Sequence, residues 1–292
     1  WFADLAVMPE GLADGVVLAT PNGLHVAGGL ACVARCLPVL VEKPIATDVA
    51  QARMLVEAGE VAGVAVLVGH HRRHNPLIAQ AKTMIDAGRI GAIVSVQAQF
   101  WLVKPDDYFD VAWRREPGAG PVFVNLIHDV DLLRHLVGEV VAVQARVASH
   151  RGHVVEDTCV ATLEFANGAL GTVNVSDTIP APWSWELTSG ENPAYPPTDQ
   201  ACYLIGGTKG ALELPRLRLW QHEGHRSWWE PITATTYPRG QGDPLILQME
   251  HFAQVIAGAE APVVSAREGM LTLAVIEAIL ASASQGVRVE LA

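Results

Sequence analysis

The sequence has no long apolar run and few aromatic residues. No stretch approaches the roughly 18–20 consecutive apolar residues that a membrane span needs. The start of the sequence shows no basic segment followed by an apolar core, so no secretory signal is visible in it. We therefore expect no membrane partner and a cytoplasmic location.

Cysteine is also scarce, and acidic residues outnumber basic ones. The four cysteines, Cys32, Cys36, Cys159 and Cys202, are too few and too scattered for a disulfide scaffold. We expect them to be buried, reduced thiols of a cytoplasmic protein. Lys and Arg total 20 against 31 Asp and Glu, which gives a net charge of −11. This balance argues against a nucleic-acid partner, because phosphate backbones select basic surfaces.

The first quarter of the chain alternates apolar strands with helical segments. A length of 292 residues with 50% hydrophobic residues leaves room for two domains. VVLA (16–19), PVLVE (38–42) and VAVLVGH (64–70) are nearly continuous apolar runs separated by helix-like segments. Such strands belong to parallel sheets covered by helices on both faces. Residues 1–75 are therefore predicted to form a partial Rossmann-type, doubly wound α/β domain.

A different periodicity begins after residue 76. Pro76 and Gly88 delimit a linking helix, and four segments beyond it, such as IVSVQAQFW (93–101), alternate apolar and polar residues as half-exposed antiparallel strands do. A helix from about Val122 to Leu136 interrupts them. We predict that 76–292 form an α+β domain with an open, mostly antiparallel sheet, used for substrate binding and oligomerisation. The last helix, 265–286, is a candidate to pack back on the first domain.

Four strings in this order carry a family resemblance. They are ATPNGLH (19–25), VEKPIA (41–46), GHHRRHNP (69–76) and GAGPVFVNLIHDVDLL (118–133). Together they resemble the Gfo/Idh/MocA family of NAD(P)-dependent oxidoreductases over essentially the whole chain. The resemblance implies NAD or NADP as cofactor and a sugar, polyol or related hydroxylated substrate. It also implies a homodimer or homotetramer that assembles through the open sheet.

One part of the family pattern is missing from the sequence. Family members begin with a strand, a G-x-G-x-x-G turn and a helix, and the sequence contains no such string. Its best-placed glycine pair, Gly28-Gly29, falls inside a predicted helix. By the family pattern, roughly two βαβ-type units of about 30 residues each precede Trp1, so we expect a longer protein. The residue that selects NAD or NADP belongs to that portion.

Lys43 is the first candidate catalytic residue. It follows a buried strand, and Pro44 disfavours helical backbone at Lys43. Ligands of open parallel sheets bind at the carboxyl ends of the strands, where an ammonium group can stabilise a developing alkoxide. The alternative is a surface lysine where the strand meets water. The resemblance implies an active-site lysine at Lys43 and places Glu42 near the nicotinamide ribose.

His128 is the second candidate catalytic residue. Its imidazole can exchange a hydroxyl proton near neutral pH, and the alternative is a hydrogen-bonded core histidine. Many relatives carry an aspartate four residues earlier, where this sequence has Val124. Asn125 lies three residues before His128 and shares its helix face, so we assign Asn125 to substrate hydrogen bonding. A proton relay that needs the aspartate is in doubt.

The remaining site residues follow from the resemblance. Thr20, Pro21 and Asn22 are expected to line the dinucleotide with His25 nearby, although Asn22 is equally suited to cap a helix.

Further candidates are expected to contact the substrate. By the resemblance, His71 and Arg72 face the pocket near the nicotinamide, and Trp113 is a pocket candidate. The histidine-rich string lacks the glutamate of H-E-x-x-H, so no metal site is expected.

These residues support a dehydrogenase or reductase acting on CH–OH groups. The main alternative, which the Val124 departure leaves open, is a non-catalytic, nucleotide-binding regulatory protein of the same fold. A further alternative is transient oxidation that serves glycoside cleavage or epimerisation.

Overall fold

The computed structural model describes residues 5–291, which form two compact units. The strands are β1 Val16–Leu18, β2 Val39–Val41, β3 Val66–Val68, β4 Ile93–Trp101, β5 Val140–Ala148, β6 Thr158–Phe165, β7 Leu170–Ser176, β8 Tyr203–Gly207, β9 Ala211–Leu214, β10 Arg218–Gln221, β11 Thr233–Thr236 and β12 Val289–Glu290. The helices are α1 His25–Ala34, α2 Val49–Ala62, α3 Pro76–Asp86, α4 Ile127–Val137, α5 Trp185–Thr188, α6 Pro244–Ile256 and α7 Ala266–Gln285. None of these described helices is long and apolar enough to cross a membrane.

The first unit contains the predicted parallel sheet. It consists of residues 5–75 and 242–277, and its described strands pair in the order β1-β2-β3, all parallel. Every residue of β2 and β3 is buried. The apolar runs of β2 and β3 therefore correspond to strands covered on both faces, whereas Val17 of β1 is 41% exposed. The predicted Rossmann-type fold class is confirmed.

Helix α2 begins at a polar cap and ends at a glycine. The Asp48 side chain accepts a hydrogen bond from the Gln51 N–H at the first turn, and Gly63 adopts a left-handed backbone with φ of +65° at the end. A glycine inside a helix commonly marks its end, but α2 continues past Gly59 to Ala62. Gly59 instead packs against β3, since a Cβ atom there would lie 3.0 Å from Val66 Cγ2.

Helix α6 belongs to the first unit, which differs from the predicted division at residues 76–292. Phe252 and Val255 of α6 form a buried cluster with Leu40 of β2 and Leu67 of β3. The chain just before α7 also joins the sheet, because the Val68 N–H donates to the Val264 carbonyl at 3.0 Å. Residues 242–277 therefore complete the core of the N-terminal unit.

The second unit contains a large sheet with one buried and one open face. Within residues 76–241 and 278–291, nine strands pair in the order β11-β10-β9-β8-β4-β7-β6-β5-β12. Only the β4–β7 pair of this described sheet is parallel, which confirms a mostly antiparallel architecture. Side chains alternate along β4, with Val96, Ala98 and Phe100 buried. Asn167-Gly168, a dipeptide typical of hairpin turns, forms the turn between β6 and β7, with φ of +85° at Gly168.

The cysteines are free, but they are not all buried. Cys32, Cys159 and Cys202 are buried, whereas Cys36 is exposed just after α1. The expectation of four buried thiols is therefore wrong for Cys36, because the chain leaves the helix there and turns towards solvent. Burial raises the pKa of the Cys159 thiol to about 12.

The helix predicted at 122–136 begins with a π-helical turn. Val122–Leu126 form this turn, and α4 continues from it as a regular α-helix. Glu156 accepts a hydrogen bond from the Val122 N–H at 3.3 Å, so a carboxyl group lies at the start of this helix. Gly120 makes room for it, since a Cβ atom there would lie 2.0 Å from Glu156 Oε1. Burial raises the pKa of Glu156 above its usual range, although the hydrogen bonds oppose this.

Replacing Phe252 with alanine tests the assignment of α6 to the first unit. We expect Phe252→Ala to lower the free energy of unfolding by about 3–5 kcal/mol, because it leaves a cavity beside Leu40 and Leu67. Urea unfolding measures this loss. Ile246 lies on the same helix and is 58% exposed, so Ile246→Ala should cost no more than about 0.5 kcal/mol. Equal effects of the two substitutions would contradict this packing.

Two glutamates of the second unit should respond to pH with opposite signs. A raised folded-state pKa means that Glu156 favours folding while protonated, and that this contribution is lost as the pH rises through its folded-state pKa. The unfolding free energy of Glu156→Gln, minus that of the wild type, should therefore increase from about pH 4 to about pH 8.

Glu164 is the matched control for that experiment. Its hydrogen bonds from Arg288 lower its pKa, so its contribution is present above the unfolded-state pKa and is lost as the pH falls. The same difference for Glu164→Gln should decrease as the pH rises. Urea unfolding over this pH range measures both differences, and parallel pH trends for the two variants would refute the assignment.

Candidate active site

Polar side chains lie where the buried strands of the first unit end. Thr20 follows β1, Glu42 and Lys43 follow β2, and His70 follows β3. Because the three strands are parallel, these residues share the carboxyl edge of the sheet. The candidate cofactor residues of the first unit therefore lie along one edge of its sheet.

His25 joins two of the turns at this edge. Its ring is 1% exposed, with Nδ1 2.8 Å from the Pro44 carbonyl oxygen and Nε2 2.8 Å from the Thr20 carbonyl oxygen. Both ring nitrogens are therefore engaged by backbone atoms. Contact of His25 with the cofactor stays a prediction, and the observed role of the ring is to hold the turn after β1 beside the turn after β2.

Glu42 and Lys43 occupy the end of β2 and are both half-buried. Glu42 Oε2 accepts from the Lys43 N–H at 3.3 Å, and a Cβ atom at Gly69 would lie 3.0 Å from the same oxygen. The Lys43–Pro44 peptide bond is cis. The lysine is thus less exposed than an ordinary surface lysine at a strand end.

Thr20, Pro21 and Asn22 are exposed at the end of β1. Asn22 opens a short 3-10 helix, Asn22–Leu24, whose N-cap residue is Pro21. Neither this turn nor α1 has a side-chain cap among the residues described. The cap alternative for Asn22 is therefore not supported.

The histidine-rich string after β3 separates into structural and accessible residues. His71–His74 form a 3-10 helix in which Arg72 is buried and His71 is half-buried. Arg73 pairs with Glu268 at 3.0 Å, as expected for a structural residue. Within residues 5–291 no three His, Cys, Asp or Glu side chains are grouped as metal ligands.

His74 packs against a histidine that is itself held by two hydrogen bonds. The His74 and His251 ring centroids are 5.1 Å apart. His251 Nε2 accepts from the Val263 N–H at 3.1 Å, so Nδ1 carries the proton and donates to Glu260 at 2.7 Å. These contacts assign His74 and His251 to the packing of α6.

In the second unit, Asn125 and His128 lie on either side of a change in helix geometry. Asn125 belongs to the π-helical turn, and His128 lies in the first turn of α4 with 8% exposure. The expectation that both share one face assumed a regular α-helix throughout, so the structure does not provide that support. Among the described atoms, Asn125 Oδ1 is shielded from solvent and accepts no hydrogen bond.

Sequence reasoning missed the buried group that holds α4 beside His128. The Tyr203 hydroxyl donates to Asp129 Oδ1, and the Trp185 ring stacks on Tyr203 at 5.7 Å. Asp129 and Tyr203 are 1% and 0% exposed. The sequence shows that Asp129 follows His128. It gives no local sign that Asp129 pairs with Tyr203, which is 74 positions away.

The loop after β4 presents Trp113 to solvent. Trp113 is 56% exposed, while the guanidinium of Arg114 lies 4.0 Å from the Tyr108 ring centroid and donates to the Tyr108 carbonyl. Burial raises the pKa of Tyr108, and the charge of Arg114 opposes that shift. Lys104 pairs with Asp177 at 3.1 Å, and burial raises the pKa of this aspartate too. The loop is therefore fixed by polar contacts that leave the Trp113 ring accessible.

Comparisons with known proteins agree with this architecture. Residues 2–70 match the model described as "Oxidoreductase family, NAD-binding Rossmann fold", and residues 82–291 match "Oxidoreductase family, C-terminal alpha/beta domain". The chain is 28% identical to D-xylose 1-dehydrogenase (NADP(+)) 2 of Haloferax volcanii, over 98% of this chain and 83% of that protein. It is 30% identical to inositol 2-dehydrogenase 2 of Saccharopolyspora erythraea, over 94% and 75%.

A solved structure extends the similarity to three dimensions. The WlbA dehydrogenase of Bordetella pertussis, in complex with NADH and UDP-GlcNAcA, matches with a TM-score of 0.75 and 30% identity, over 99% of this chain and 81% of that one. Both family models and the inositol dehydrogenase relative lead to the same assignment. The chain belongs to the Gfo/Idh/MocA family of NAD(P)-dependent oxidoreductases.

Proposed function

We propose that this protein is an NAD(P)-dependent dehydrogenase or reductase whose substrate is a sugar, an inositol-like polyol or a related hydroxylated molecule. Family membership supports the reaction class, and the two curated relatives named above are a sugar and an inositol dehydrogenase. These relatives do not favour the non-catalytic alternative.

The residues at the strand ends fit one part of a dinucleotide. Thr20, Pro21 and Asn22 are exposed at the carboxyl end of β1, and the Glu42 carboxyl lies at the end of β2, where nucleotides bind open parallel sheets. We assign them, with Lys43 and with His25 as the residue that fixes their turns, to holding the cofactor. The sequence has no G-x-G-x-x-G turn for the pyrophosphate. When bound, the nicotinamide accepts or donates a hydride.

Lys43 and His128 are proposed to handle charge and protons. The Lys43 ammonium would donate to the substrate oxygen and stabilise its developing negative charge. His128 would take the hydroxyl proton during oxidation and return it during reduction. Neither role requires a carboxylate at Val124.

The Asn125 side-chain oxygen, which accepts no hydrogen bond among the described atoms, is the main support for a hydroxylated substrate. A buried acceptor without a donor costs about 1–3 kcal/mol, so such an atom in a native structure calls for a partner. A substrate hydroxyl supplies the missing donor. His71, Arg72 and the exposed Trp113 ring would add donors and an apolar face suited to a polyhydroxylated molecule.

The assembly and location are proposed on further grounds. The open face of the second-unit sheet exposes Val160, Leu170 and Leu204, which are 48%, 60% and 45% accessible. We propose that a homodimer or homotetramer forms by covering this face. The four free cysteines support a cytoplasmic location.

Substitution of the two catalytic candidates tests the reaction. With a panel of sugars, polyols and hydroxy acids, we expect Lys43→Ala and His128→Ala each to lower kcat/KM by about 10²–10⁴. Absorbance of the reduced nicotinamide measures turnover, and fluorescence titration measures cofactor binding, which should persist unchanged in His128→Ala and weakened in Lys43→Ala.

Surface substitutions provide the controls for that loss. Lys82 pairs with Asp86 on α3, and His225 lies on an exposed loop. Lys82→Ala and His225→Ala should leave kcat/KM within about twofold. Cofactor binding without turnover on any compound would support the regulatory alternative, and full activity of the Lys43 and His128 variants would refute the site.

Asn125→Leu separates substrate binding from folding. Because the amide oxygen has no donor, we expect its loss to leave the free energy of unfolding unchanged or higher while KM rises about 10-fold or more. Asn174→Leu is the matched control, since Asn174 Oδ1 accepts from Trp101 Nε1 at 2.9 Å. That substitution should lower stability by about 1–3 kcal/mol without changing KM. A stability loss at Asn125 with an unchanged KM would contradict the assignment.

A further inference from the structure

An open cavity of about 550 Å³ lies on the second unit, outside the proposed active-site residues. It is found where β9 and β11 end and β10 begins, beside the loop after α5. Its lining includes Thr188, Asp199, Arg216, Arg218, Thr236 and Arg239. We refer to it as the arginine cavity.

The charge of this cavity is opposite to that of the whole protein. The chain has a net charge of −11, yet three arginines and one aspartate line the arginine cavity. The aspartate, Asp199, is 85% exposed and pairs with Arg216 at 2.8 Å. Arg239 forms no ion pair among the residues that the structure describes. Arg216 and Arg218 each face a carboxylate, so Arg239 adds the positive charge that an anion in the cavity would neutralise.

Two of the three guanidinium groups lie beside carboxylate partners. Arg218 lies 3.7 Å from Glu213 and 5.9 Å from the Trp220 ring centroid. Glu213 is fixed in turn, because it accepts from Trp220 Nε1 at 2.8 Å. Arg216 is held by its pair with Asp199.

The backbone between these two arginines is also fixed. Leu217 has φ of +51°, a left-handed conformation that costs a leucine roughly 1–2 kcal/mol. Its side chain is fully buried, so packing holds it there. The spacing of Arg216 and Arg218 is therefore set by the folded sheet.

Arginine forks in a fixed arrangement recognise phosphate and carboxylate groups through paired hydrogen bonds. The Thr236 hydroxyl adds a polar group to the same wall. The volume of about 550 Å³ exceeds that of a single oxyanion and falls in the range of small-molecule sites. We propose that the arginine cavity binds a small organic anion through a phosphate or carboxylate group held by Arg216 and Arg218. This site does not depend on the dehydrogenase assignment.

Calorimetric titration tests the site with three probes at constant ionic strength: inorganic phosphate, a hexose bisphosphate and citrate. We expect the bisphosphate or citrate to bind at least tenfold more tightly than inorganic phosphate, and the tighter of the two identifies the anionic group. Binding should weaken at least tenfold in Arg216→Ala/Arg218→Ala. Arg216→Lys/Arg218→Lys should also weaken it, because lysine keeps the charge but loses the paired geometry.

A charge-matched control is Arg146→Ala/Arg226→Ala, which removes two arginines of the same unit that do not line the cavity. It should bind each probe within twofold of the wild type. If the double variant of the cavity fails to fold, Arg239→Ala, an exposed residue, should still weaken binding about threefold.

Three outcomes would overturn the proposal. No binding of any probe would do so, and so would weak binding that is equal in all variants, which would mean an adventitious ion only. A change in sedimentation of the cavity variant, without a change in anion binding, would assign the cavity to a segment of a second copy.

Discussion

Burial of β2 and β3 on both faces is the constraint on which the first unit depends. The strands are only three residues long, and β2 and β3 have no exposed position. Polar side chains are therefore admitted only where the strands end, and parallel strands end at one edge. Glu42, Lys43 and His70 are at this edge because the apolar residues before them occupy the core. The placement of the candidate residues follows from the burial of their neighbours.

His25 turns that edge into a fixed surface. The turn after β1 has no side-chain cap among the described residues, and the buried imidazole connects it to the turn after β2 through the Thr20 and Pro44 carbonyl groups. Because Pro44 follows Lys43 directly, the same ring limits where the lysine can lie. His25, which was expected near the cofactor, thus fixes the carboxyl edge of the sheet through backbone contacts.

Some elements of the fold could be predicted from the sequence and others could not, and the difference has physical reasons. Unbroken apolar runs and the Asn167-Gly168 turn act locally, so β1–β3 and the β6–β7 hairpin could be predicted. The pattern of α6 shows that one face is buried, but it does not identify the sheet that covers it, and the partners Leu40 and Leu67 are about 200 positions away. The π-helical turn at Val122–Leu126 was equally hidden, because its apolar residues suit an ordinary α-helix.

The helix that carries His128 is held by carboxyl groups that do not need to touch a substrate. Glu156 accepts from the Val122 N–H at the start of the π-helical turn, and Asp129 accepts from the Tyr203 hydroxyl within α4. This helix is therefore anchored without a carboxyl group at Val124. Because these buried contacts orient the helix, the residue after Val124 can be a neutral amide, Asn125. Its oxygen accepts no hydrogen bond among the described atoms and suits a hydroxyl donor. In the proposed reaction, proton exchange falls to His128 and charge stabilisation to Lys43, a division of roles that needs no carboxylate relay.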